Sequence, residues 1–217
     1  MCANLHNEQM DRDCHVRAAD PPLAVVLGLT LSLLVSGCSP DLNWREVHPA
    51  GADGLTALFP CKPDAHERVV PWPGMPSGAT MHMLSCQTDA GTWALSYLTL
   101  PDVALLAPSM HELTMSTRRN LGAAAAMSGT GPGLSEQDLG PIKVPGMTPM
   151  LQARGWRFQA QRPDGLGRPL EMDVQAWHFS HGMTVFQASV WRPAEAVKAQ
   201  SGEDVAEAFF HGLQFPG

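Results

Sequence analysis

Trp156-Arg157-Phe158-Gln159-Ala160-Gln161, then a break at Pro163-Asp164-Gly165-Leu166-Gly167, then Met172-Asp173-Val174-Gln175-Ala176: this stretch decides the fold. In both runs an apolar residue alternates with a polar one. Successive side chains of a strand point to opposite faces, so Trp156, Phe158 and Ala160 share one side and Arg157, Gln159 and Gln161 the other. The intervening Pro, Asp and Gly residues are those a tight turn requires. His181-Gly182 makes a second turn, and Phe186, Ala188 and Val190 form the inner face of a third strand. Such a meander is antiparallel, and its alternation predicts a sheet with one face covered.

Upstream of the meander, Leu55, Ala57 and Phe59 alternate with polar or outward positions as a half-buried strand, stopped by Pro60-Cys61-Lys62-Pro63. Met81 to Gln87 and Trp93 to Leu100 read as two more strands, with Asp89-Ala90-Gly91 as their hairpin turn. Ser109 followed by Glu112 matches a capping box. Leu113, Thr117, Leu121 and Ala125 then fall at intervals of four and predict a helix over 110–126 with one packing stripe. Ser128 to Gly133 reads as a loop. At the other end, Ser201 to Asp204 caps a last helix with a stripe of Val205, Ala208, Phe209 and Gly212. The expected class is α+β, an antiparallel sheet flanked by helices, in a single domain over 54–217.

The N-terminal region reads differently. From Pro21 to Pro40 there is no charged residue, and the apolar run Leu23–Val35 is shorter than the roughly 20 residues that span a bilayer. It has the length of a signal-peptide core, and Leu34-Val35-Ser36-Gly37-Cys38 ends it with small residues before a cysteine. This resembles the bacterial lipobox. The resemblance implies cleavage between Gly37 and Cys38, acylation of Cys38, and anchoring in a bilayer, where two or more chains hold stably. Residues 1–37 are then a signal peptide and 38–53 a tether. Ser39, rather than Asp, after the anchor implies the periplasmic leaflet of the outer membrane. Residues 1–20 carry a formal charge of −2, whereas such leaders begin positive. Translation from Val16 would remove that conflict, and mapping the initiation site tests it.

A second resemblance covers about 44–217. Phe59-Pro60-Cys61-Lys62-Pro63 after a first strand, a hairpin ending in Tyr97-Leu98-Thr99-Leu100-Pro101, a long helix, a meander, and a closing helix with Phe209-Phe210 before Leu213-Gln214-Phe215 resemble the PsbP-like α/β/α sandwich. That family implies binding, assembly or chaperone-like roles. It has no shared catalytic set, so it transfers no functional residue.

Composition narrows the function further. Hydrophobic residues make up 44% of the 217, enough for one sizeable core. The formal charge is −7, and removing the four acidic and two basic residues of 1–37 leaves −5. An acidic body with scattered basic residues excludes a nucleic-acid partner. Of five cysteines, Cys2 and Cys14 precede the cleavage point and Cys38 is the anchor. Cys61 and Cys86 remain, as a disulfide in an exported domain or as two buried thiols.

Few residues point to chemistry, and no cofactor is implied. His111-Glu112 opens a zincin-like pattern that position 115, a Met, breaks. His178 and His181 have odd spacing, which on a strand sends them to opposite faces. Glu171 and Asp173 alternate with core residues, which a solvated outer face explains. Two candidates remain. Met75, Met81, His82 and Met83 offer thioether and imidazole ligands suited to Cu(I), against ordinary strand packing. Val70-Pro71-Trp72-Pro73-Gly74-Met75-Pro76 is held out of a ladder by its prolines. Trp72 there is either an exposed anchor for a partner or a lid folded back on the sheet. The leading expectation is a non-catalytic, membrane-anchored periplasmic lipoprotein that binds an envelope protein. A metal or small-ligand carrier comes next, and an unrecognised hydrolase last.

Overall fold

The computed structural model describes residues 42–128, 134–199 and 204–216. The apolar run, Gly37 and Cys38, and the first residues of the expected tether, 38–41, lie outside the described residues. The described chain folds as strands β1 (Arg45–Val47), β2 (Ala57–Phe59), β3 (Asp64–Trp72), β4 (Met75–Thr88) and β5 (Gly91–Thr99), then helix α1 (Leu106–Ser128). Strands β6 (Ser135–Pro141), β7 (Arg154–Pro163), β8 (Pro169–His181) and β9 (Thr184–Pro193) follow, then helices α2 (Ala194–Ala199) and α3 (Val205–His211). Seven strands make one antiparallel sheet in the order β3-β4-β5-β9-β8-β7-β6, and β1 pairs with β2 apart from it. The class is α+β.

The first two strands of the meander pair with their apolar residues level: Trp156 lies opposite Ala176, Phe158 opposite Val174 and Ala160 opposite Met172. Its third strand differs. Val174 is opposite Trp191 and Ala176 opposite Ser189, so Phe186, Ala188 and Val190 point to the other face of the sheet. Both faces are therefore covered, not one. On the first, α1 packs Leu121 onto Phe158, Val174 and Ala176, and Met110 and Leu113 onto Leu98 and Val185. On the second, Trp93, Leu95, Phe179, Phe186, Ala188 and Val190 meet Phe59 of β2, Phe209 and Phe210 of α3, and the closing Leu213 and Phe215. Each of these fully buried aromatics contributes about 2–3 kcal/mol of transfer free energy.

The second face carries two corrections. Of the expected stripe of Val205, Ala208, Phe209 and Gly212 only Phe209 is fully buried, and Ala206 and Phe210 complete the buried side of α3. Gly212 ends the helix directly against Leu58, where any Cβ would clash. The fold also starts earlier than residue 54. Val47 and Trp44 pack against the core, Ala52 is buried, and Tyr97 Oη donates to the Ala50 carbonyl at 2.6 Å. Cys61 and Cys86 form a disulfide with Cα atoms 5.9 Å apart. It fastens the segment after β2 to β4, and so fastens the cover to the sheet.

The two edge strands carry no clear period-two pattern. β3 is exposed at six of its first positions and contains His66, Glu67 and Arg68; β6 is exposed at all positions but Gly140. Charges on an edge deter pairing with another chain, and they also erase the alternation that marks a strand. Pro71 falls at the register shift of the β3–β4 ladder between Val70 and Trp72, where a missing N–H is tolerated. The proline-rich stretch is therefore a hairpin turn at Pro73-Gly74, not a free loop.

Candidate functional site

Helix α1 begins earlier than its capping-box match. Asp102 Oδ1 accepts from Ala104 N at 2.8 Å and caps a short 3-10 turn, Val103–Leu105, that runs into the helix. Pro108 sits in the first turn, where it costs no hydrogen bond. Ser109 is then inside the helix and fully buried, and its hydroxyl accepts from Trp72 Nε1 at 2.8 Å. Glu112 pairs with Arg119 instead of reaching back to a cap. Trp72 is only 8% exposed and packs with Leu98, Leu106 and Met110. It pins the β3–β4 hairpin over the start of α1 and supplies no exposed anchor.

From that start α1 crosses β9, β8 and β7 obliquely. It does so because the apolar floor lies there, at Val185, Val174 and Phe158. The same face of β4 and β5 offers Met81, Met83, Ser85, Thr92, Ala94 and Ser96, mostly small and hydroxylated, with little for a helix to bury. The helix therefore leaves this part of the sheet open as a groove of 680 Å³. Its floor continues onto Gln187, Ser189 and Trp191 of β9, and its wall is Leu113, Ser116, Thr117 and Asn120 of α1. The register explains the floor: Met83, Ser96 and Gln187 are level across three strands, as are Ser85, Ala94 and Ser189.

Charge in the groove is lopsided. His66 lies opposite Met83 and Arg68 opposite Met81, so both point into it, and Arg162 reaches it from the end of β7. Neither Arg68 nor Arg162 has a carboxylate partner among the described residues. Glu112 is neutralised by Arg119. Glu67, next to Arg68, also borders the groove, but its carboxylate approaches His82 Nδ1 at 3.4 Å. The groove is thus cationic on a protein of net charge −7.

A polar seam lies behind the groove wall. His178 is fully buried, with Nδ1 2.9 Å from Thr114 Oγ1. Burial pushes its pKa down to about 4, Gln187 opposes that shift and Arg118 adds to it, so the ring is neutral. Thr117 Oγ1 lies 2.9 Å from Leu113 O and 3.3 Å from Gln187 Oε1. His181 is on the other face, stacked on Phe215.

The remaining sequence candidates separate. Met81 and Met83 do enter the groove, but His82 points through the sheet and stacks on Tyr97 with ring centroids 5.1 Å apart. The Met and His donors do not converge on one point. Among the described residues, no three of His, Cys, Asp and Glu group to hold a metal ion. Asp173 is not on a solvated face: it is 3% exposed and accepts from Arg157 Nε at 2.7 Å. Arg68, Arg162 and the hydroxyl floor were not singled out by sequence. The signal was there in Ser85, Thr92, Ser96 and Ser189, small polar residues at strand positions where an apolar partner was due. No protein-family model and no curated protein matches the chain.

Proposed function

We propose that this chain is a lipid-anchored protein of the bacterial envelope, held through acylated Cys38 at the periplasmic face of the outer membrane, and that it binds its partner without transforming it. One observation carries the binding part: an open, hydroxyl-floored groove with two unpartnered guanidinium groups facing it. Guanidinium groups bind carboxylates in bidentate fashion, and hydroxyls offer hydrogen bonds to a peptide backbone. Local positive potential on an acidic body also selects partners by sign. The favoured ligand is therefore an extended, carboxylate-bearing segment of another envelope protein. A PsbP-like α/β/α sandwich belongs to the same proposal, supported by a sheet with α1 on one face and α3 with β1–β2 on the other. A small-ligand carrier is the second reading, since 680 Å³ falls within the size range of small-molecule sites.

The test is site-directed photo-crosslinking in cells, with the crosslinker at Asn120 in the groove wall or at Glu207 on the exposed side of α3. The Asn120 probe is expected to capture one envelope protein, and the charge reversals Arg68→Glu and Arg162→Glu to abolish that adduct. An adduct indifferent to both reversals, or formed equally from Glu207, refutes the groove as the binding site. A dialysable ligand recovered with the protein, in place of an adduct, favours the carrier. Separately, Cys38→Ala is expected to move the protein from the membrane to the soluble fraction.

A further inference from the structure

The β7–β8 hairpin overhangs the sheet at the end where the chain enters the fold. Asn43 N donates to Pro60 O at 2.7 Å, and Cys61 beside it is bonded to Cys86. Cys86 is level across the ladder with Trp93, Val190, Gln175 and Arg157. The last pair of the hairpin, Pro163 with Pro169, lies six residues beyond Arg157. At about 3.3 Å per residue the tip stands about 20 Å past the level of chain entry. β1 runs from there towards Ala50 and Tyr97, that is, towards the opposite end of the sheet near His181 and Thr184. Traced backwards from Arg45, the chain therefore leaves in the direction of the hairpin tip. Cys38 lies four residue steps before Leu42, a reach of at most about 14 Å.

We propose that the tip of this hairpin, Pro163–Pro169, rests in the bilayer surface, with Leu166 inserted among the lipids; the inference rests on the anchoring of Cys38. A tether of about 14 Å is shorter than the overhang of about 20 Å, so the tip meets the lipid before the tether is taut. The chemistry of the tip fits that place. Leu166 is 77% exposed between two glycines. Asp164 is not free to repel anionic headgroups: its carboxylate accepts from Leu166 N, Arg168 N and Arg168 Nε, each at 2.8 Å. Arg162, at the base of the tip, lines the groove, so in this orientation that end of the groove lies nearest the membrane.

The mature, lipidated full chain has no free thiol under this reading: Cys38 is acylated and Cys61 is bonded to Cys86. A single cysteine introduced as Leu166→Cys, or as Leu151→Cys in the loop at the opposite end, therefore takes a spin label alone. Leu151 is 90% exposed, so neither change disturbs the core. The labelled protein is reconstituted in vesicles of phosphatidylethanolamine and phosphatidylglycerol, and collision with oxygen is compared with collision with a water-soluble nickel complex. The label at 166 is expected to favour oxygen several-fold and the label at 151 to favour nickel. Protein that floats with the vesicles while its 166 label favours nickel, or while its 151 label is the protected one, overturns the orientation and leaves the anchor standing. Wild-type protein that fails to float overturns both.

Discussion

Acidification should destabilise this protein through a single buried histidine. His178 is neutral between α1 and β8, with its pKa pushed down to about 4, mainly by burial. In the unfolded chain an imidazole titrates near 6.5. Above pH 6.5 both states are neutral and the full stability is present. Between 6.5 and 4 the unfolded chain binds a proton that the folded one does not, so stability falls as pH falls; below 4 this contribution is flat. The gap between about 6.5 and about 4 is worth about 3 kcal/mol, a large share of the stability of an ordinary domain. Asp138 and Asp164 are held low by their arginine partners and backbone donors, so their stabilisation is lost only at lower pH. Urea denaturation from pH 7 to pH 4.5, followed by tryptophan fluorescence on a soluble form lacking 1–38, therefore isolates His178. Wild type is expected to lose about 2–3 kcal/mol over that range. His178→Gln starts less stable, because the contact with Thr114 is altered, but its stability should stay nearly constant. Parallel decline of the two proteins would refute the assignment.

Replacing both Cys61 and Cys86 with Ala should cost about 3 kcal/mol, the chain-entropy value for a closed loop of 25 residues, read as a drop in urea midpoint under non-reducing conditions. Trp72→Phe keeps most of the apolar contact but strands the buried Ser109 hydroxyl; a loss of about 1–2 kcal/mol is expected, and Ser109→Ala on that background should recover part of it. Gly212→Ala places a methyl against Leu58, and a loss of about 1–3 kcal/mol is expected from the thermal midpoint; Leu58→Ala in the same chain should relieve the clash.

Wherever one face of a strand is buried and the other is half open, the period-two pattern reports it. The apolar faces of β7 and β8 were legible for that reason, and so was the hairpin at Asp89-Ala90-Gly91. The stripe of α1 was legible too, at Leu113, Thr117 and Leu121. The pattern fails in two places with different causes. Edge strands β3 and β6 are charged and exposed, so they lack an apolar side to alternate. Strand β9 is central and buried on both sides, at Val185 and Ser189 as well as at Phe186 and Ala188, so alternation cannot say which face its large residues choose.

Local chemistry by itself determined the antiparallel meander, the α+β class, the long helix and the cysteine pair left to bond. Those follow from spacing along the chain, which needs no knowledge of neighbours. The groove could not be read in that way. It exists because α1 takes an oblique path to the apolar patch on β7–β9 and leaves the hydroxyl floor of β4 and β5 uncovered, and that path is set by packing between segments far apart in sequence. The same packing turned Ser109 from a cap into the acceptor for Trp72, buried Trp72, divided Met81 from His82, and brought Arg68 and Arg162 from separate strands to one cavity.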